Sequence, residues 1–166
     1  MRKIVAALAA TMAALGMTSA HAEGLVRHAL PEGHFPIAAA IEVPPGYSTV
    51  YLSGMGAAVA DPKATPMTLA AYGNTETQTR SALAQIEKEL TSLGLTFGDV
   101  VQMHVYLKPD PATGKLDFAG MMKAYTEKFG TAAQPNLPTR SAFGVATLAN
   151  PGWLVEIEVT AVRKPK

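Results

Sequence analysis

Arg140, Glu156 and Glu158 stand inside apolar, strand-like sequence near the C-terminus, where charge is costly unless something outside the strand uses it. Residues 137–163 read LPTRSAFGVATLANPGWLVEIEVTAVR, two β-rich runs on either side of a turn at Asn150, Pro151 and Gly152. Arg140 opens the first run, and Glu156 and Glu158 interrupt the second. Side chains alternate along a strand, so Val155, Ile157, Val159 and Ala161 share one face, and Glu156, Glu158 and Thr160 share the other. That second face must meet water, a partner or a ligand. A guanidinium offers a planar fork that fits a carboxylate. A carboxylate beside the bound acid can orient and deprotonate a water. Arg140 with Glu156 is thus suited to holding a small carboxylic acid and delivering water to it. The competing readings are an intersubunit ion pair for Arg140 and a solvated or interface role for Glu158.

Other residue types say less. Gly54 and Gly56, after Ser53, mark a place where backbone approaches another group closely. No base sits at a telling spacing from Ser53, so a serine nucleophile is unsupported. His28, His34 and His104 show no metal-ligand spacing with one another or with carboxylates, and no metal is expected. Cysteine is absent, which excludes thiol catalysis and thiolate metal sites. The segment Ser53-Gly54-Met55-Gly56 lacks the rest of any nucleotide-binding fingerprint.

The elements that must position these groups follow from periodicity and breakers. Residues 37–43 and 48–53 are expected strands, separated by Pro44-Pro45-Gly46. Residues 57–74 are expected to form a loop. Thr75 with Gln78 fits a capping box, Leu83, Ile86, Leu90 and Leu93 recur at helical spacing, and Gly94 suits the C-terminal end. Residues 100–107 read as a strand. Asp117 can cap a second helix with Phe118, Met121, Met122, Tyr125 and Phe129 on its apolar face, ended by Gly130. Strands near 139–147 and 153–162 complete the order ββαβαββ. Two helices on one face of a mixed sheet give an α+β fold with the other face open. A half-apolar open face in a small protein predicts self-association.

The first 22 residues combine Arg2 and Lys3, an apolar stretch and Ala20-His21-Ala22, the pattern of a secretory signal peptide. The expected organisation is a signal peptide over 1–22, an irregular extension over 23–35 and one domain over 36–166. The destination is the periplasm or the medium, with no membrane anchor after cleavage. Loss of residues 1–22 removes two basic residues and leaves 12 basic against 13 acidic, a net charge of −1. That balance, with no Lys/Arg run, argues against nucleic acid as a partner.

Pro138-Thr139-Arg140-Ser141, followed by residues 155–163, resembles the C-terminal signature of the RidA/YjgF family of reactive-intermediate imine deaminases. Tyr51-Leu52-Ser53-Gly54, residues 78–83 and residues 99–107 add to the resemblance in the right order, between residues 36 and 163. The resemblance implies a chorismate-mutase-like fold and a homotrimer whose sheets wrap into a central barrel, with sites in the clefts between subunits. It implies cofactor-free hydrolysis of small 2-imino or 2-enamino acids to 2-keto acids and ammonia. Arg140 would grip the substrate carboxylate, Glu156 would work the water, and Ser53 and Gly54 would border the cleft. A non-catalytic binder of carboxylated metabolites and a holdase-like protective protein are the alternatives. The chain departs from the family pattern where Pro36-Ile37-Ala38-Ala39-Ala40-Ile41-Glu42 replaces a segment with a cleft-lining tyrosine. Met122 replaces a common Asn, and Ala142 a frequent Cys. Tyr47 and Phe35 are the candidates for the missing ring.

Overall fold

A computed structural model describes residues 24–31 and 35–165. The expected signal peptide therefore lies outside the described residues. The C-terminal run that alternates in sequence becomes the centre of the main sheet. Strand β6 (Val155–Arg163) pairs antiparallel with β3 (Ser48–Met55) on one side and with β4 (Val100–Leu107) on the other. Strand β5 (Thr139–Gly144) adds to β4 in parallel, giving the order β3-β6-β4-β5. Two flanking strands explain why Val155, Ile157, Val159 and Ala161 are all buried. They form one core with Val100, Met103 and Val105 of β4 and with the helices above them.

Helix α2 (Thr75–Ser92) supplies Ala82, Leu83, Ile86 and Leu90 to that core, and α3 (Phe118–Tyr125) supplies Met121 and Tyr125. The cap of α2 differs from the expected box. Asn74 is the N-cap, its side chain accepting from the Thr77 N–H at 2.9 Å. Gln78 is turned inward instead. Its amide donates to the Gly73 and Gly152 carbonyls, and its oxygen accepts from the Leu154 N–H. An inward Gln is committed to three backbone groups and cannot also reach back to the helix start. Gly94, at φ 69, takes the left-handed conformation that closes α2, where a side chain would be strained. Asp117 caps α3 as expected, accepting from the Gly120 N–H. That helix ends at Tyr125, and Phe129 joins the core from the turns beyond it.

Two further elements were not expected. A short helix α1 (Leu69–Tyr72) interrupts the loop over 57–74, where Ala71 and Tyr72 pack with Ala57 and Trp153 in a satellite cluster. The extension is not irregular throughout: β1 (Val26–Ala29) pairs antiparallel with β2 (Ala38–Glu42) in a separate two-stranded sheet. The cause is long-range. The Arg27 guanidinium donates to the carbonyls of Gly98, Val100 and Leu137, at 2.8, 3.1 and 2.7 Å. From β2 onward the order of sheet strands and longer helices is the expected ββαβαββ, with the helices on one face. No described helix is long and apolar enough to cross a membrane.

Candidate functional site

The open face of the sheet carries a hydrogen-bonded cluster. Glu158 on β6 lies opposite His104 on β4, and its Oε1 is 2.7 Å from His104 Nδ1. The same oxygen accepts from the Tyr106 hydroxyl at 2.9 Å. The Phe143 ring of β5 packs beside both, with centroids 5.7 Å from His104 and 5.8 Å from Tyr106. The hydrogen bond from His104, supported by that from Tyr106, holds the Glu158 carboxyl below its ordinary range. In turn, the hydrogen bond to Glu158 raises the pKa of the Tyr106 hydroxyl. A cavity of about 280 Å³ opens here, lined by Tyr51, Gln102, His104, Glu158 and Thr160 among others. Sequence reasoning set His104 aside as a lone histidine and left Glu158 as a solvated or interface residue. Their pairing depends on the β4–β6 register, and no local motif announces it.

Glu156 lies on the same face, one cross-strand pair further along, opposite Tyr106. Its carboxylate rests against Gly54. A β-bulge makes this possible: Leu52 pairs with Val159 and Met55 with Ile157, so Ser53 and Gly54 together stand opposite a single residue. Bulges re-aim side chains in this way. A Cβ on Gly54 would collide with Glu156 Oε1. Three of the four expected site residues, Ser53, Gly54 and Glu156, thus come together.

Arg140 is placed elsewhere in the protomer. Its register partner is Met103, a buried residue of the helix-covered face. Directly paired residues project to the same side of a sheet, so Arg140 and Glu156 lie on opposite faces of it. The Arg140 guanidinium sits among three rings: its Cζ is 4.3 Å from the Tyr125 centroid, 5.2 Å from Phe35 and 5.9 Å from Phe118. Cation–π attraction stabilises this arrangement. Of the two candidates for the missing ring, Phe35 is the one placed beside Arg140. Arg140 Nη1 is nevertheless buried without a hydrogen-bond partner among the described residues. Burial lowers the guanidinium pKa from its ordinary value. An N–H left dry and unpaired costs about 1–3 kcal/mol, more on a charged group. A cavity of about 270 Å³ is lined by Leu30, Ile37, Ala38, His104, Arg140 and Ser141, among others. One ligand can use both Arg140 and Glu156 only if different protomers contribute them. Among the described residues no group of three or more His, Asp or Glu could hold a metal ion.

A four-stranded mixed sheet, two helices on one face, a polar open face and a bulged Ser-Gly beside a carboxylate define an α+β protein of the YjgF/Rid class. The chain belongs to the family described as Endoribonuclease L-PSP, the RidA/YjgF family, whose model matches residues 39–163. A RutC family protein of Pyrococcus horikoshii is 35% identical over 92 residues, 55% of this chain and 65% of that one. One from Haemophilus influenzae is 36% identical over 87 residues, 52% of this chain and 62% of that one. The matched segments thus span somewhat less than two thirds of these relatives. Among solved structures, E. coli TdcF with bound serine is 28% identical with a TM-score of 0.55, covering 70% of this chain and 81% of that one. The Rid-family protein YyfB of Yersinia pestis has a TM-score of 0.61 over 84% of this chain and 99% of that one. At 22% identity, that second likeness is one of fold.

Proposed function

We propose that this protein hydrolyses the imine or enamine forms of small 2-amino acids, giving the 2-keto acid and ammonia. Arg140 holds the carboxylate by its fork. Glu156, beside Gly54 and Ser53, takes a proton from water as the oxygen adds to the imine carbon. It returns that proton to the nitrogen, giving a carbinolamine, and then carries the hydroxyl proton to the same nitrogen, so that ammonia leaves as the carbonyl forms. The balance is one imine and one water in, one ketone and one ammonia out, with no cofactor. Because the two groups occupy opposite sheet faces, the site is completed between subunits of a trimer whose open faces turn inward. Export after loss of residues 1–22 is part of the same proposal.

The observation that carries this reading is the buried, unpartnered Nη1 of Arg140, a donor awaiting an oxygen. Serine, the ligand of the similar TdcF structure, is itself a 2-amino acid. Family membership is equally compatible with small-molecule binding alone. The separation of Arg140 from Glu156 within a protomer favours that second reading. Both are tested by generating 2-iminopropionate from alanine with an amino-acid oxidase and trapping it with semicarbazide. The proposed enzyme lowers the trapped fraction in proportion to its concentration, and Arg140→Lys and Glu156→Gln lose the effect. Unchanged trapping, together with a Glu156→Gln variant that binds pyruvate as the parent does, would establish the binder.

A further inference from the structure

The rings around Arg140 cover the guanidinium unequally. Tyr125 is buried, and its hydroxyl donates to the Pro36 carbonyl at 2.8 Å, which fixes the segment carrying Phe35. Phe35 and Phe118 are different: they remain 39% and 40% exposed. Their planes are within 7° of parallel and their centroids are 6.3 Å apart. Rings stacked over a guanidinium leave its in-plane N–H edge for an acceptor. A carboxylate on that edge would send its 2-substituent along an apolar rim made by these two rings. Leu30 and Ile37 continue apolar lining on the neighbouring cavity wall.

We propose that Phe35 and Phe118 make this site selective for 2-imino acids with a bulky apolar side chain, aromatic or branched aliphatic, over those with a methyl group. The inference rests on the reading of Arg140 as the carboxylate holder. A methyl substituent leaves both rings wet, whereas a benzyl group buries apolar surface against them, and each CH2-sized increment of burial strengthens binding. Phe35 immediately precedes the segment, starting at Pro36, where this chain departs from the usual family pattern, so the preference belongs to this sequence rather than to the fold.

The test uses the full chain and two product ketoacids, phenylpyruvate and pyruvate, titrated calorimetrically. The parent should bind phenylpyruvate at least roughly tenfold more tightly, a difference that a buried phenyl group readily supplies. Phe35→Ala and Phe118→Ala should each collapse the ratio to about threefold or less, with Phe35→Leu intermediate. The same ratio should appear in kcat/KM for imines made from phenylalanine and alanine. Equal affinities in the parent, or a ratio that survives both alanine variants, would overturn the rim while leaving Arg140 in place. An altered oligomeric mass with an unchanged ratio would assign the rings to a subunit contact and also overturn it. Binding that persists undiminished in Arg140→Lys, or no binding of either acid, would remove the carboxylate site and the inference with it.

Discussion

Glu156 occupies the space that any side chain at residue 54 would need. The carboxylate and the bulged backbone are therefore a matched pair. Gly54→Ala should push the Glu156 carboxylate off its place at little cost in stability, because the clash falls on the far end of a flexible side chain. The expected outcome is a cooperative melt near that of the parent together with lost imine hydrolysis. An active variant would show that Glu156 is not held by this contact.

Arg140→Met distinguishes a ligand-seeking arginine from a structural ion pair. Removing an unpartnered buried donor relieves about 1–3 kcal/mol, and the lost ring contacts cost a similar amount. The variant should therefore unfold within about 1 kcal/mol of the parent, while carboxylate binding disappears. Destabilisation of about 3–5 kcal/mol is instead the signature of a broken buried pair across subunits. Urea denaturation and calorimetric titration on the same samples decide between the two.

Gln78 lies at 0% exposure and serves the Gly73 and Gly152 carbonyls and the Leu154 N–H. It joins the start of α2 to the turn that feeds β6. Gln78→Ala strands these groups away from water, and a loss of about 3 kcal/mol is expected. Chemical denaturation measures it. A loss under about 0.5 kcal/mol would mean that the backbone finds other partners.

Glu158 gives a pH dependence of known sign. Its folded carboxyl is depressed, chiefly by the His104 hydrogen bond. The resulting stability is present above the unfolded carboxyl value, about 4.3, and is lost as pH falls through the folded value. The stability difference between parent and Glu158→Gln should thus shrink from pH 5 to pH 3. Urea midpoints across that range read it, and a constant difference would refute the assignment.

The open face predicts assembly. Tyr51 is 80% exposed there, and Phe143 is also exposed. Light scattering should give about three times the protomer mass, and Phe143→Lys should lower it by burying an unpaired charge. A monomeric parent would contradict the intersubunit site.

Local signals account for much of this structure. The alternation from Val155 to Ala161 is a period-2 pattern that two neighbouring strands then satisfy. The Leu83, Ile86 and Leu90 spacing is a helical face that a sheet then covers. What local pattern cannot carry is register. His104 and Glu158 become partners only when β4 and β6 align, 54 residues apart in the chain. The side to which Arg140 points is set by its pairing with Met103, not by anything in its own strand. The strand β1 escaped notice because its anchor, Arg27, answers to carbonyls more than 70 residues away. Asn74 and Thr75 are both good caps, and the choice fell to Asn74 because Gln78 was drawn inward.

The strand flanked by β3 and β4 is also the last of the described strands. Until residues 155–163 are available, β3 and β4 have no common neighbour, and the hydrophobic faces of α2 and α3 have only fragments to rest on. Non-local closure of this kind is slow. A polypeptide wired in this way cannot close its core before those residues arrive, and deleting residues 155–163 should remove the whole architecture rather than trim an edge.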